Sequence, residues 1–322
     1  MLIKISAGTN RVASMKAEKI KNRWFPGYMR DNFPLYTMIL PGFLMFLFFN
    51  YFPMYGIVMA FQSFKPALGF FHSPFVGLKH FARLLSDPYF LTVFKNTIIL
   101  GFYTLLFAFP MPILLALLFN EIRNRTYKRI AQTISYMPYF LSTVIVIGIM
   151  RDMLSVNDGI VNMAIQALGL DKIDFFSTPG WFRTLYIGSW IWQSIGFNSI
   201  IYLAAIAGIN TEVYEYAVID GASRFKQAVY ITLPSITPTI VILFIFAVGG
   251  VLGNDFQKIL LIYTPATYST SDVISTYVYR AGIEGASQGY SAAVGLFMSV
   301  VSVILLVITN FLAKKLSETS LW

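Results

Sequence analysis

The chain has 322 residues, 57% of them hydrophobic and 12% charged, with no cysteine and a mean hydropathy of +0.65. A soluble domain is about 25% charged, so this composition excludes a disordered chain, a disulfide scaffold, thiol catalysis and Cys-ligated zinc, and it points to a membrane protein with several spans. The net charge of +9 would suggest nucleic acid in a soluble protein; here the basic residues gather at the ends of apolar runs, where Lys and Arg set topology.

Residues 1–34 carry Lys4, Arg11, Lys16, Lys19, Lys21, Arg23 and Arg30 against Glu18 and Asp31, without the contiguous apolar core of a cleavable signal. They read as a cytoplasmic N-terminal segment, either an interfacial helix with Trp24, Phe25 and Tyr28 at headgroup level or a mobile tail. Six runs then reach the ~20 apolar residues a helix needs to cross a bilayer core: 35–61, with Pro41 and Pro53 as kinks, 96–119, 130–150, 184–209, 236–253 and 291–313. Each is apolar on all sides, and none alternates with period two, which excludes a transmembrane barrel. Arg123, Arg125, Lys128 and Arg129 face only Glu121 between the second and third runs, and Lys314 and Lys315 follow the sixth. Between the third and fourth the balance reverses, with Asp152, Asp158, Asp171 and Asp174 against Lys172. This pattern places both termini and the loop 210–234 in the cytoplasm. The expected fold is an all-α membrane protein: a six-span domain over 35–313, a folded outer element at 254–290 and a cytoplasmic tail at 314–322. With only His72 and His80, little scope remains for a metal site, and none is expected.

The loop 210–234 has the residues of a short helical hairpin. Asn210 and Thr211 are N-cap types, and Glu212 and Glu215 suit the positive first turn. Gly221 ends the first helix without a β-carbon penalty. Phe225 and Val229 stack at i, i+4 on the second, opposite Arg224 and Gln227, and Pro234 is expected to stop that helix where span five begins. An amphipathic hairpin on the inner face has the shape of a docking element.

This stretch resembles the EAA loop of binding-protein-dependent ABC importer permeases, whose pattern is E-A-A, three residues, G, nine residues, I-x-L-P. Glu215, Tyr216 and Ala217 precede Gly221 by that spacing, Ile231, Leu233 and Pro234 close it, and Tyr216 stands in place of the middle Ala. Residues 276–279, 289–293 and 310–318 look like carbohydrate-uptake permeases, and residues 255–263 with 272–277 look like the branch associated with complex polysaccharide fragments. The resemblance implies a type I ABC importer permease fold in the bacterial cytoplasmic membrane, in a transport subunit and not an enzyme. It implies a second permease subunit, a paralogue in that branch, two ABC ATPase subunits carrying ATP and Mg, an extracytoplasmic solute-binding protein and an oligosaccharide cargo. It also implies that Glu215 makes a charge-assisted contact with the ATPase, that Ala217 permits close approach, that Gly221 sets the hairpin angle, and that Leu233 and Pro234 pass the motion to span five. No G-x-x-x-x-G-K-[ST] run occurs, so ATP hydrolysis must come from a partner and no cofactor is expected on this chain.

Sugars are held by hydrogen bonds and by stacking on aromatic faces. Span four offers Trp190, Gln193 and Phe197 at i, i+3, i+7, with Asn198 and Tyr202 on a neighbouring face; Asn254, Asp255 and Gln257 follow span five. The bland roles for the same residues are polar glue between helices, an interfacial aromatic belt and caps. Arg151 either meets an acidic sugar or snorkels. The competing classes are an ion-coupled secondary transporter, an ABC permease for a non-sugar solute, and an intramembrane enzyme. The first needs ionisable relays inside the spans, which hold essentially no Asp or Glu, and the last needs convergent acids, His or a metal.

Overall fold

The computed structural model describes residues 32–317; most of the expected 1–34 segment and of the 314–322 tail lies outside them. Among the described residues the structure is helical throughout, with one isolated antiparallel bridge between Gln62 and Phe75. The chain divides between Ile57 and Val58 into two compact units. In the first, α1 (Phe33–Phe46) and a π turn at Leu47–Tyr51 expose apolar side chains all round, as suits a helix surrounded by hydrocarbon. A 3-10 helix at Phe52–Phe61 follows.

In the second unit, α2 (Gly69–His72) and α3 (Lys79–Ser86) precede a 34-residue helix made of α4 (Pro88–Tyr103), a π turn at Thr104–Ala108 and α5 (Pro110–Glu121). Next come α6 (Arg125–Tyr136), a 3-10 turn at Met137–Phe140, α7 (Thr143–Leu154), α8 (Ile160–Ala167) and α9 (Phe182–Ala207). The motif of residues 210–234 forms α10 (Thr211–Ile219), α11 (Arg224–Gln227), a π turn at Ala228–Thr232 and the start of α12 (Leu233–Gly249). After α12 the chain folds into α13 (Phe256–Ile262), α14 (Tyr268–Ser271), α15 (Ile274–Tyr279) and a π turn at Arg280–Glu284, before the last helix, α16 (Gln288–Ser317).

Five of these helices are long and apolar enough to cross a membrane. The third expected span, 130–150, is not one straight helix: its two halves, α6 and α7, are bent by 101°. Pro138 removes a helical donor, and Ser142 then starts α7 afresh, its Oγ accepting from Ile145 N at 3.3 Å. α6 is amphipathic, with exposed Tyr127, Ile130 and Ile134 beside Arg125, Lys128 and Arg129.

Pro234 does not stop its helix either. The helical path runs from Arg224 through Pro234 to Gly249 and absorbs the proline as a π turn. A proline ring collides with the carbonyl four residues back and supplies no N–H of its own. Widening the preceding turn moves that carbonyl away. The same device recurs before Pro53 and Pro110: in all three cases the residue just ahead of the proline donates to the carbonyl five residues back. Pro41 and Pro238 sit inside α1 and α12 without it.

Three apolar clusters hold the second unit together. Ile147, Phe182 and Ile259 join α7, α9 and α13; Leu84, Phe90, Ile274 and Tyr290 join α3, α4, α15 and α16; Ala116, Tyr202 and Ile236 join α5, α9 and α12. Glycines permit close backbone contact at two crossings of α9 and α4 with their neighbours. A Cβ on Gly196 would lie 1.9 Å from the Ser135 carbonyl oxygen, and one on Gly101 would lie 2.5 Å from that of Val251.

Candidate translocation groove and helical hairpin

The hairpin is built from local caps. Asn210 Oδ1 accepts from Glu212 N at 3.1 Å, and Ser223 Oγ accepts from Lys226 N at 3.4 Å, so each short helix has its own N-cap. Between them Gly221 sits at φ +74°, and Ala222 N donates to Ala217 O at 2.8 Å, closing α10 through a left-handed residue. No atom lies within 4 Å of a Cβ placed on Gly221, so this glycine is required by backbone conformation and not by space inside the chain.

Two side-chain contacts fasten the hairpin to the spans. Tyr214 Oη and Thr232 Oγ1 are 2.9 Å apart, tying α10 to the π turn, and Arg224 Nη1 donates to Glu121 Oε2 at 2.9 Å, tying α11 to the end of α5. A cavity of about 620 Å³ opens between the hairpin and the ends of α5 and α9, with Glu121, Ile209, Tyr214 and Glu215 in its wall. Glu215 and Tyr216 are exposed, Ala217 and Ile231 are half-buried, and Leu233 packs beside the Ile236 cluster. Tyr216, Ile219, Phe225 and Tyr230 together present an exposed apolar surface; Phe225 points outward and not into a stack.

A second feature lies between α4–α5, α9 and α12. Two cavities of about 310 and 210 Å³ share Phe109, Trp190 and Ala247 and form one groove. Gly101, Thr104, Tyr186, Asn254 and Asp255 line one part, and Pro112, Asn198 and Tyr202 the other. The structure thus brings Trp190, Asn198, Tyr202, Asn254 and Asp255 to one place. Asp255 also caps α13, its Oδ1 accepting from Lys258 N at 3.0 Å, while its own N–H donates to Tyr186 Oη at 3.1 Å.

Gln193, Phe197 and Gln257 are placed elsewhere. Gln193 Nε2 donates to Leu141 O and its Oε1 accepts from Lys258 Nζ, both at 2.9 Å, so the amide is engaged inside the chain at the α6–α7 break. Phe197 stacks on Tyr139 at 3.9 Å with rings 5° from parallel. Gln257 is exposed and does not line the groove. Arg151 donates from Nη2 to Leu261 O at 2.6 Å and lies 4.4 Å from the centre of the Phe176 ring, which fastens α7 to α13.

Sequence reasoning passed over Lys258 and Asp272. Lys258 is 1% exposed. Burial pulls its ammonium from the usual 10.5 down to about 8, with the Asp255 charge acting against the fall. Its signal was a single Lys in the otherwise apolar turn of α13. Asp272 is fully buried and accepts from Arg280, from Tyr89 Oη and, at 2.7 Å, from Thr276 Oγ1. Beside it Tyr277 Oη lies 2.9 Å from both Asp87 Oδ2 and Tyr290 Oη. Among the described residues no group of His, Cys, Asp and Glu could hold a metal ion.

Bent apolar spans around a polar-flecked groove, with a capped hairpin at one end, define a membrane permease. Residues 108–318 match the family described as the binding-protein-dependent transport system inner membrane component, and the chain belongs to it: it is a permease subunit of a binding-protein-dependent ABC importer. It is 44% identical over 288 residues to the polygalacturonan/rhamnogalacturonan transport system permease protein YteP of Bacillus subtilis (strain 168), covering 89% of this chain and 90% of that protein. Protein LplB of the same organism is 41% identical, over 93% of this chain and 94% of its own length. Among solved structures, a bacterial ABC transporter involved in the import of the acidic polysaccharide alginate has a chain 42% identical with a TM-score of 0.83, covering 90% of this chain and 98% of that one. The bacterial alginate ABC transporter in complex with an alginate pentasaccharide-bound periplasmic protein has one 41% identical with a TM-score of 0.85, covering 92% and 99%.

Proposed function

We propose that the chain is one half of the pore of an ATP-driven importer that moves acidic oligosaccharides, fragments of uronate polysaccharides, into the cytoplasm. An extracytoplasmic binding protein delivers the sugar, a paralogous second permease completes the pore, and two ATPase subunits with ATP and Mg work from the cytoplasmic face, where both termini lie. The substrate class is carried over from relatives more than 40% identical, whose names specify polygalacturonan and alginate. The observation that supports the coupling is the hairpin: Glu215 and Tyr216 are free to meet a partner, while Tyr214 and Arg224 anchor the same element to the π turn below span five and to the end of α5. Closure of the ATPases would move the hairpin, and α12 would carry that movement toward Asn254 and Asp255 in the groove.

Glu215→Lys tests the coupling. It reverses an exposed charge without disturbing a contact within the chain, so membrane insertion stays at the wild-type level. Uptake into vesicles holding the assembled importer should fall to background. Wild-type uptake by this variant would remove the docking role of the hairpin.

A further inference from the structure

We propose that Arg183 recognises the carboxylate of the incoming sugar at the rim of the groove and so sets a preference for uronate-bearing chains. This rests on the acidic-sugar reading above and adds to it a residue that reading did not contain. Arg183 stands on α9 at i relative to Tyr186 at i+3 and Trp190 at i+7, and both of those line the groove. The three therefore share one helical face, about 10 Å from end to end. The guanidinium is turned toward α4: Nη2 lies 3.4 Å from Asn96 Oδ1, and the group is 5.9 Å from the centre of the Tyr103 ring, next to Thr104 of the groove wall. Asn96 has committed its own donor group to Ser269 O and Asp272 O, which leaves its oxygen aimed at Arg183.

Among the described residues the charge on Arg183 meets no carboxylate. Arg280 is paired with Asp272 and Arg224 with Glu121, whereas Arg183 has an amide oxygen at the limit of hydrogen bonding and one aromatic ring. Its Nε is buried without a partner. The carboxylate that does lie in the groove wall, Asp255, caps α13 and is offset by the buried ammonium of Lys258 in the same turn. One net positive charge remains, on the side chain whose planar fork matches a carboxylate. The side chain is half-buried, and an anionic ligand would supply the acceptor that its buried Nε lacks. A uronate entering here would set its carboxylate on Arg183 and its ring near the face of Trp190.

The test uses the importer assembled with its partner subunits in proteoliposomes, and compares uptake of a galacturonate trisaccharide with uptake of its methyl ester, in which the carboxylates are neutral. Wild type takes up the acid in preference to the ester. Arg183→Gln lowers acid uptake at least tenfold and abolishes that preference, while ester uptake and ATP hydrolysis stay within twofold of wild type. Arg183→Lys keeps part of the preference, because the charge remains and the fork is lost. Retention of the acid preference by Arg183→Gln overturns the inference, and so does an equal loss of acid and ester uptake, which is what a helix-packing role predicts. A wild-type importer that takes up no galacturonate removes the acidic-sugar reading, and this inference with it.

Discussion

Lys258 and Gln193 form a chain of two hydrogen bonds that ends on the Leu141 carbonyl, where α6 breaks from α7. A buried ammonium hydrogen-bonded only to a neutral amide is unstable relative to water, and the nearby Asp255 charge offsets this only in part, which is why its proton leaves at about 8 and not at 10.5. The folded value lies below the unfolded one, so unfolding takes up a proton between these two pH values. Stability contributed by this residue therefore rises with pH from about 8 to 10.5, and the burial penalty is in full force below that window. Removing either partner has unequal effects. Gln193→Leu leaves the ammonium and the Leu141 carbonyl both unmatched, at a cost of about 3 kcal/mol, since hydrogen bonds to charged groups are each worth about 1.5–3. Lys258→Met removes the charge together with its penalty and leaves one unmatched amide oxygen, a net change within about 1 kcal/mol. Thermal unfolding in detergent at pH 7 should rank Gln193→Leu well below Lys258→Met, and Lys258→Met should lose the rise in stability above pH 8. The reverse ranking would mean that Lys258 has a stronger partner than Gln193.

At the scale of elements, the π turns decide how the helices are aimed. In the turn Ala228–Thr232, the Leu233 N–H reaches back to Ala228 O, so one extra residue is held ahead of Pro234. Replacing that proline by alanine restores a donor and removes the ring, and the turn can close to an ordinary α-helical one. Losing one residue from the turn rotates everything before it by about 100° relative to α12. The hairpin would then present a different face, and the Tyr214–Thr232 and Arg224–Glu121 contacts could not both survive. Pro234→Ala is therefore expected to insert normally and be at least as helical, yet to lose most of its uptake; full uptake would show that the π turn is incidental. These elements also show what the sequence could and could not disclose. Continuous apolarity marked the spans, and the caps at Asn210 and the left-handed Gly221 are local, so the hairpin was readable residue by residue. A proline states only that a helix must adjust. Whether it stops, kinks or widens depends on packing around it, so Pro234 was misread as a stop and the bend at Pro138 in the third span went unread. Spacing on α9 likewise put Trp190, Gln193 and Phe197 on one side of the helix, but Tyr139, Leu141 and Lys258, distant in sequence, claim the last two.

Across the second unit, α12 links the two ends of the machinery. It is 17 residues long, a rod of about 25 Å, with the hairpin before it and the groove residues Asn254 and Asp255 just after it. Movement at the hairpin reaches the groove only if the segment beyond α12 resists being carried along as a whole. In the proposed coupling the Asp272–Arg280 pair would supply that resistance, because Tyr89 of α4 shares the carboxylate, and Tyr277 bonds Asp87 at the start of α4 and Tyr290 of α16. Burial disfavours the Arg280 cation, but its hydrogen bonds and charge pairing with Asp272 outweigh this and hold the guanidinium above its ordinary range. Arg280→Gln would strand a fully buried carboxylate among hydroxyls, at a cost of about 3–5 kcal/mol. Adding Asp272→Asn removes the second charge and should recover a large part of that loss, because a neutral pair is easier to bury than one uncompensated ion. Thermal unfolding in detergent gives the order: wild type, then the double variant, then Arg280→Gln. Glu215→Lys, at the far end of α12, should melt with the wild type. If the double variant were instead less stable than Arg280→Gln alone, the clamp would be held by the hydroxyl bonds to Asp272 and not by its charge.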